Sequence, residues 1–408
     1  MDEQAAAVLE YGGLTALLEG ADLRYVRAGD EELVRRIFVT VRDAHWRTLE
    51  PRIEHVEVRR SHGEFDVQLQ VRHVSGDLDF RWSGLIRGRG DSELEYTMDG
   101  RIAHACAYNR IGFCVLHPLR ESIGRHYGGV GDAGAFTGAI SALVAPQRFV
   151  GGRFVALCPP ARSLWIDRPG GGRVSFEFEG DLFEMEDQRN WSDGSLKTYC
   201  TPLELGFPHQ AAAEQRIHRE LRVAVSGTRP KHRPARHPTS TEIVLGKVGD
   251  TRLPTLGVAW PAEVTSARGR VAELVRDLGL DHLRVEVDPG VPESITALND
   301  AAGTSRTTGC PLELALYISA DSRDLLAHMA SRLTASPIAR VLVFHRDGRY
   351  VESTETTPPG LVTLARETLG SSLAPGTPVG GGTDMSFCEL NRTRPDADGL
   401  DVVSYALM

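Results

Sequence analysis

Lysine is nearly absent from this 408-residue chain. Lys197, Lys231 and Lys247 are the only lysines among 46 basic residues, so arginine carries almost all of the positive charge. An arginine stays protonated in proteins, whereas a lysine is a compact ammonium group whose pKa shifts readily on burial. Each retained lysine is therefore a candidate for a role that a guanidinium cannot fill.

The sequence also lacks the patterns that define several functional classes. Acidic residues occupy the amino terminus where a secretory signal has basic ones, and no long apolar run follows, which argues against export and membrane spanning. The six cysteines form no C-x-x-C pair, which argues against zinc knuckles and dithiol redox motifs. No H-E-x-x-H, G-x-S-x-G or dinucleotide fingerprint is present. We expect buried cysteines and a reducing, cytoplasmic location.

Composition narrows the class further. The net charge of -9 argues against a nucleic-acid partner and gives no reason to expect binding to anionic membranes. With 41% hydrophobic and 25% charged residues, the chain is typical of a soluble globular protein. Its length predicts two or three domains. Nothing in the sequence indicates an oligomeric state.

Residues 1–225 follow a two-residue alternation of apolar and polar side chains, which predicts strands with one buried face. The predicted strands include Arg36–Asp43, Ile53–Arg59, Phe65–Val74, Leu78–Ile86, Glu93–Ile102, Val174–Phe178 and Ile217–Val225. Glycine-containing turns separate them, and helix-period segments are scarce. We therefore predict an antiparallel β-sandwich domain over residues 1–225. The proline-containing, cation-rich stretch at 226–240 is predicted to be a linker.

Between residues 241 and 408 strands alternate with helices. The predicted strands are Leu256–Trp260, Leu283–Val287, Leu312–Ile318, Ala339–Phe344, Val379–Thr383 and Val402–Leu407. Strands that are apolar on both faces imply a parallel sheet covered by helices, and the best match is a (β/α)8 TIM-type barrel. Only about six of eight strands are found, in a segment shorter than the roughly 250 residues that such barrels usually take. We therefore expect a C-terminally truncated barrel.

The segment Phe183–Thr201 concentrates charged, amide and aromatic side chains. Carboxylates and amides can hydrogen-bond to hydroxyl groups, and an indole can cover the C–H face of a sugar. The alternative is a strand end whose charges pair with one another. The candidate substrate-binding residues are Glu186, Asp187, Arg189, Asn190, Trp191 and Lys197.

A second candidate surface lies in Tyr108–Pro118, where Asn109, Arg110 and His117 bracket an apolar centre. With the preceding segment it could line a groove of the sandwich and bind substrate. A buried polar network that fixes strand pairing is the alternative.

Barrel enzymes carry their reactive groups at the carboxyl ends of strands. His345 ends one predicted strand and is a candidate proton shuttle, although a structural histidine is equally consistent. Beyond the glycine run Gly380–Gly382, Glu389 and Arg392 are predicted catalytic residues, and Asp384 and Asn391 are predicted to bind substrate. The glycines themselves favour close backbone packing over a phosphate cradle, because no Lys-Ser/Thr follows them.

Three segments together resemble the D-apionate lactonase family: NRIGFCVLHP at 109–118, FEMEDQRNWSDGSLKTYCTPL at 183–203 and GGGTDMSFCELNRTRP at 380–395. The likeness runs in the same order through essentially the whole chain. It implies a β-sandwich joined to a TIM-type barrel and the hydrolysis of a branched-sugar lactone to its aldonate, within D-apiose breakdown. Family members are longer than this chain.

The leading hypothesis is a lactonase with a small-molecule sugar lactone as its substrate. Water activated by Glu389 or His345 attacks the ring carbonyl, and Arg392 or Lys197 stabilises the oxyanion. No cofactor is predicted, and nothing in the residue spacing demands a metal, although carboxylates and His345 could hold one. A glycoside hydrolase that uses Glu389 as one of two carboxylates and a non-catalytic carbohydrate-binding fragment remain as alternatives.

Overall fold

The computed structural model describes residues 6–90, 92–150, 153–227, 243–247, 249–261, 268–333, 336–346 and 356–407. The chain divides into two compact units, Met1–Thr241 and Glu242–Met408. Most of the predicted linker at 226–240, including Lys231, lies outside the described residues.

The first unit is built almost entirely from strands. One short helix, α1 (Leu119–Ser122), interrupts them. The strands are β1 (Ala7–Tyr11), β2 (Leu14–Glu19), β3 (Asp22–Ala28), β4 (Glu31–Asp43), β5 (Arg52–Ser61), β6 (Glu64–Ser75), β7 (Leu78–Gly88), β8 (Glu93–Ile102), β9 (Cys106–Pro118), β10 (His126–Gly131), β11 (Gly134–Ala139), β12 (Arg148–Val150), β13 (Arg153–Val155), β14 (Ser163–Asp167), β15 (Arg173–Glu179), β16 (Glu184–Asp187), β17 (Ser195–Tyr199), β18 (His209–Ala211) and β19 (Arg216–Val225).

These strands form two large sheets and a small hairpin. Over the described residues, the first sheet has eight strands in the order β1-β2-β3-β4-β9-β17-β16, with β18 also paired to β9. The second sheet has nine strands in the order β11-β10-β14-β15-β19-β8-β7-β6-β5, and β12 pairs with β13. The 13-residue strand β9 pairs antiparallel with β4, β17 and β18, so it sets the register of the first sheet.

The two large sheets share one hydrophobic core. Phe113 of β9 lies edge-to-face against Tyr96 of β8, with ring centroids 4.8 Å apart. Tyr11 of β1 lies edge-to-face against Phe65 of β6, with ring centroids 5.5 Å apart. The buried Tyr96 hydroxyl donates a hydrogen bond of 2.6 Å to the Ala21 carbonyl oxygen, which satisfies its polar group. The prediction of a sheet-rich antiparallel domain is confirmed.

The second unit alternates strands and helices. Its strands are β20 (Gly257–Ala259), β21 (His282–Val287), β22 (Leu312–Ile318), β23 (Ile338–His345), β24 (Val379–Ser386) and β25 (Val403–Ala406). Its helices are α2 (Arg268–Asp277), α3 (Pro292–Thr308), α4 (Arg323–Ala330), α5 (Pro359–Leu369) and α6 (Phe387–Arg392). Within the described ranges, β20 to β25 form one parallel sheet in chain order, as predicted for this part of the chain.

Two helices differ from the sequence prediction. We predict a short helix near 292–301, but α3 continues to Thr308 because its low-propensity final turns bury Thr304 and Ser305 against the sheet. Gly309 ends it at φ 75, with its amide donating to the Ser305 carbonyl oxygen. The segment after the glycine run, predicted as a loop, forms the short helix α6.

The central strand β22 of the parallel sheet is buried on both faces. All seven residues of β22 are buried. Leu314, Leu316 and their neighbours join the core under the helices, whereas Ala315, Tyr317, Leu342 and Phe344 form a separate cluster on the inner face. Successive side chains of a strand point to opposite faces. The residues that alternate with those of the helix-covered core therefore lie on the inner face.

Two sequence predictions of local packing are confirmed. Cys114, Cys158, Cys200, Cys310 and Cys388 are buried free thiols, and Cys106 is partly buried. A Cβ atom added to Gly380 would lie 1.9 Å from the Val402 carbonyl oxygen, so the glycine run serves close backbone packing. Among the described residues, no helix combines the length and the apolarity needed to cross a bilayer.

We predict that Gly380→Ala destabilises the protein by about 1–3 kcal/mol or more, because the new methyl group meets backbone that cannot yield easily. The measurement is the midpoint of urea unfolding. Gly360→Ala is the matched control: its Cβ would meet nothing within 4 Å, and alanine favours the helix, so stability should stay constant or rise by up to about 1 kcal/mol. Equal midpoints for the two variants would contradict the packing account.

Candidate active site

Inner-face positions of the parallel sheet carry a layer of charged side chains at the amino ends of its strands. Glu313 accepts from Arg284 at 2.9 Å and lies 3.0 Å from the Arg340 Nε atom and 3.5 Å from the His282 Nε2 atom. These contacts tie β21, β22 and β23 together and leave both Glu313 oxygens paired. In barrel folds this end of the strands contributes to stability rather than to chemistry.

Nearer the carboxyl ends of the strands, the inner face carries Asp384 of β24, Tyr317 of β22 and Glu286 of β21. Asp384 is half-buried and accepts a hydrogen bond from Tyr317. Burial raises the pKa of Asp384 above its usual value, and the Glu286 carboxylate raises it further; the Tyr317 hydrogen bond and the Arg284 charge oppose the shift. A carboxylate with a raised pKa is a stronger base than an ordinary aspartate and can accept and return a proton.

An ion pair lies at the same edge of the sheet. Asp288 follows β21 and is buried, and its Oδ1 atom lies 2.9 Å from the Arg346 Nη2 atom and accepts from the Gly290 amide. The Arg346 Nε atom is buried and donates no hydrogen bond within the described part of the chain. Arg346 thus brings a positive charge to the carboxyl ends of the strands, where a cation can stabilise an oxyanion.

Glu389, Asn391 and Arg392, three of the predicted residues after the glycine run, lie on α6. Ser386 donates to Glu389 Oε2, and Arg392 Nη1 lies 3.4 Å from Glu389 Oε1, so both carboxylate oxygens contact neighbours in one helical turn. Asn391 is buried and accepts from Arg394 at 2.8 Å. These groups therefore lie close to one another because of their local spacing along one short helix.

His345 ends β23 on the other side of the sheet from Asp384. It is in register with Ile318, which belongs to the core under the helices, whereas Phe344 and Tyr317 face inward. Alternation along the strand thus separates His345 from the inner-face carboxylates.

Tyr317, Glu286 and Arg346 were not among the predicted site residues. Glu286 alternates with apolar residues in HLRVEV, as Glu313 and Tyr317 do in LELALYI, and all three lie at inner-face positions. Polar side chains at alternate positions of a doubly buried strand are the signal that could have identified them.

In the first unit, Glu186 of β16 is the centre of a buried polar cluster. Its Oε1 atom accepts from Trp191 Nε1 at 2.6 Å and from Gln147 Nε2 at 2.9 Å, and its Oε2 atom lies 3.4 Å from Lys197 Nζ. Burial lowers the pKa of Lys197, although the Glu186 charge opposes this change. Trp191 thus uses its indole N–H within the protein, while its ring stays half-buried.

Asp187, Arg189 and Asn190 hold a neighbouring loop. Asp187 accepts from the Ala145 amide at 3.0 Å and pairs with Arg189 at 2.8 Å. Arg189 also donates to the carbonyl oxygens of residues 141–143, and Asn190 donates to that of Ala145 at 2.7 Å. These three predicted residues therefore contact the loop at 141–145, and Asp187 and Asn190 also border a cavity of about 250 Å³ with Glu186.

His117 and Arg110 of β9 have different surroundings. His117 is buried against Phe176 of the second sheet, its Nε2 atom lies 2.7 Å from Thr198 Oγ1, and burial lowers its pKa to about 3. Arg110 lies against the Tyr199 ring, 3.7 Å from its centroid. The predicted triplet therefore does not form one surface: His117 belongs to the core.

Asn109 lies where the register of β4 and β9 shifts. It is 2% exposed, and neither polar atom of its side-chain amide has a hydrogen-bond partner among the described residues. Among all the residues that the structure describes, no group of three or more His, Cys, Asp or Glu side chains is arranged to hold a metal ion.

A sheet-rich antiparallel unit followed by a parallel α/β unit with acidic groups at its strand ends defines a two-domain protein of β and TIM-barrel type. The sequence model of the D-apionate lactonase N-terminal domain matches residues 1–228, and that of the D-apionate lactonase TIM barrel domain matches residues 256–408. The chain belongs to the D-apionate lactonase family, as the three sequence segments predict.

A curated relative extends this result. The D-apionate lactonase of Brucella anthropi is 27% identical over 416 residues, which cover 97% of this chain and 65% of the relative. The chain therefore spans about 65% of the length of the curated relative that it matches.

Similar solved structures are distant. A putative aldose 1-epimerase from Escherichia coli K12 is 12% identical with a TM-score of 0.34, covering 54% of this chain and 99% of that chain. An alpha-galactosidase from Lactobacillus brevis is 9% identical with a TM-score of 0.35, covering 97% of this chain and 73% of that chain.

We predict that Asp384→Asn raises the melting temperature at neutral pH, because it removes a charge that burial and Glu286 disfavour. The gain should vanish as the pH falls below about 3.9, the usual pKa of an aspartate, since the native carboxyl is then neutral in both the folded and the unfolded state. Thermal unfolding at a series of pH values measures both effects.

Asp288→Asn is the matched control for this prediction. The same substitution removes the partner of Arg346 and should cost about 1–3 kcal/mol of stability at neutral pH. A fall in melting temperature for both variants would show that Asp384 is a structural group.

Proposed function

We propose that the protein hydrolyses a sugar lactone, of the D-apionolactone type, to the open-chain aldonate. Membership of the D-apionate lactonase family supports this reaction class. The observation that carries the site assignment is Asp384, a half-buried carboxylate with a raised pKa that accepts from Tyr317 on the inner face of the parallel sheet. The D-apiose pathway and the cytoplasmic location stay predictions.

In the proposed reaction, the Asp384 carboxylate takes a proton from water as the water oxygen attacks the lactone carbonyl carbon. The carbonyl electron pair moves to oxygen, and the positive charge of Arg346 stabilises the resulting oxyanion. When the tetrahedral intermediate collapses, the ring C–O bond breaks and Asp384 returns the proton to the leaving oxygen. Lactone and water become one hydroxy acid.

The other predicted catalytic residues remain candidates for the same steps. Glu389 and His345 are alternative bases, and Arg392 is an alternative partner for the oxyanion. The paired state of Glu389 with Ser386 and Arg392 favours Asp384 over it as the base. The predicted substrate-binding residues Asn391, Trp191, Lys197 and Arg110 likewise stay predictions.

We also propose that β20 to β25 are strands of a (β/α)8 barrel and that residues 226–240 link it to the β-sandwich. Six parallel strands in chain order, an inner side-chain cluster and a charged layer at the amino ends support the barrel assignment. In such a barrel, Asp384 and Asp288 would lie at the edge where barrel enzymes bind substrate.

The direct test is incubation of the protein with aldonolactones and, separately, with aryl glycosides. We expect acid release from a lactone above its spontaneous rate and no glycoside cleavage, since the proposed reaction has one carboxylate, Asp384, acting on an ester. Cleavage of glycosides alone would favour the two-carboxylate glycoside hydrolase instead. No acceleration of either reaction would contradict the proposal.

Substitutions identify the base. Asp384→Asn should lower kcat/KM by about 10²–10⁴-fold, the usual contribution of a general base. Glu389→Gln serves as the comparison and should change the rate little if its contacts with Ser386 and Arg392 are structural. The reverse ranking would assign the role to Glu389.

The pH profile gives a further prediction. The Tyr317 hydrogen bond lowers the pKa of Asp384, so Tyr317→Phe should raise that pKa. Because the base must be deprotonated, the acidic limb of the kcat/KM profile should move to higher pH, with activity recovered above the new limb. An unmoved limb would show that another group controls it.

A further inference from the structure

Three cations lie on one face of the first sheet. Arg42 of β4 is directly opposite Arg110 of β9 in the sheet register. The Arg110 guanidinium carbon and the Lys197 nitrogen both contact the Tyr199 ring, at 3.7 and 5.0 Å from its centroid. Both arginines also lie near the Trp46 ring, at 6.0 Å for Arg42 and 5.8 Å for Arg110. The cations and the two rings therefore form one continuous cluster, which we call the arginine cluster.

The two arginines of this cluster lack acidic partners. Within the part of the chain that the structure describes, neither forms an ion pair or donates a hydrogen bond, and the Nε atom of each is buried without a partner. Arg110 is only 3% exposed. Of the two nearby carboxylates, Glu186 pairs with Lys197, and Glu184, whose charge also acts on Arg110, accepts a hydrogen bond from the Tyr199 hydroxyl. The site therefore contains more positive than negative charge.

Other arginines of the same unit show that this is unusual. Arg168 is similarly buried, at 4% exposure, but it pairs with Glu31 at 2.8 Å and donates to the Ser226 carbonyl oxygen at 2.6 Å. Arg36, on the same strand and face as Arg42, pairs with Asp22. Buried charges are normally paired in this way, and like charges directly opposite each other on neighbouring strands are destabilising.

We propose that the arginine cluster binds the carboxylate group of a small polyhydroxylated acid. Two guanidinium groups can hold a carboxylate through charge-assisted hydrogen bonds. The half-buried Trp46 ring offers an apolar face for C–H groups, and Glu186 can accept from a hydroxyl group. The neighbouring Glu186 charge disfavours a dianion such as phosphate more than a monoanion. This site goes beyond the proposed lactonase reaction and does not depend on it.

The test uses the whole protein, potassium gluconate as the probe and titration calorimetry as the readout. We expect saturable binding of gluconate, and weaker binding of glucose, which lacks the charge, and of inorganic phosphate, which lacks the hydroxyl-bearing carbon chain. Arg42→Gln and Arg110→Gln should each weaken gluconate binding by about tenfold or more, the effect of losing a charge-assisted hydrogen bond. Arg36→Gln, the matched control, should leave affinity within about twofold of the parent protein, because its partner is Asp22.

Stability of the ligand-free protein separates a binding role from a structural one. Arg42→Gln relieves repulsion and should raise the melting temperature, whereas Arg36→Gln leaves Asp22 unpaired and should lower it. Because Arg42 is only half-buried, its variant keeps the test valid if Arg110→Gln fails to fold. Absence of gluconate binding, equal binding of phosphate, or unchanged affinity in Arg42→Gln would each overturn the proposal.

Discussion

Successive side chains of a β-strand point to opposite faces of its sheet, and both units of this protein place their polar groups under that constraint. On β9, His117 contacts Phe176 of the second sheet, whereas Arg110 contacts Tyr199 of β17 in the first sheet. On β23, His345 faces the helices while Phe344 faces inward. Residues that are neighbours in sequence are therefore separated, and residues from distant strands come together.

The two candidate sites share an energetic feature. Asp384 keeps a carboxylate where burial and a second carboxylate raise its pKa, and Arg42 keeps a guanidinium whose pKa is lowered by burial and by Arg110. Most other buried charges of the described chain, such as Arg168 and Glu313, have paired partners. A folded protein tolerates a few uncompensated charges because its large cores supply the remaining stability, and such groups concentrate where a ligand or a reaction uses them.

Much of the fold could be predicted from the sequence, because strand alternation and doubly apolar strands report burial directly. The long strands from β4 to β8 and the parallel strands β21 to β23 are local patterns of this kind. The sequence did not reveal that α3 extends to Thr308, since tertiary burial of Thr304 and Ser305 overrides weak helix propensity.

The candidate sites were only partly predictable. Asp384 and Glu186 stand out by residue type, but their partners depend on contacts across the sheets. Tyr317 comes from two strands away from Asp384, and Arg42 precedes Arg110 by 68 positions along the chain, although the two strands are neighbours. Glu389, Asn391 and Arg392 are predicted as a group because they are close in sequence. The same closeness lets Glu389 pair with Arg392, and Asn391 with Arg394, within and next to one short helix.

The mixture of arginine and lysine beside Tyr199 has a consequence for how this face responds to alkali. The guanidinium groups of Arg42 and Arg110 retain their protons in ordinary aqueous buffers. Lys197 has a lowered pKa, and it is therefore the group in that cluster whose charge is removed first as the solution becomes basic. Two permanent positive charges and one removable positive charge thus lie on the same face of the sheet. When Lys197 loses its proton, Glu186 loses its counter-ion, whereas both arginines remain charged.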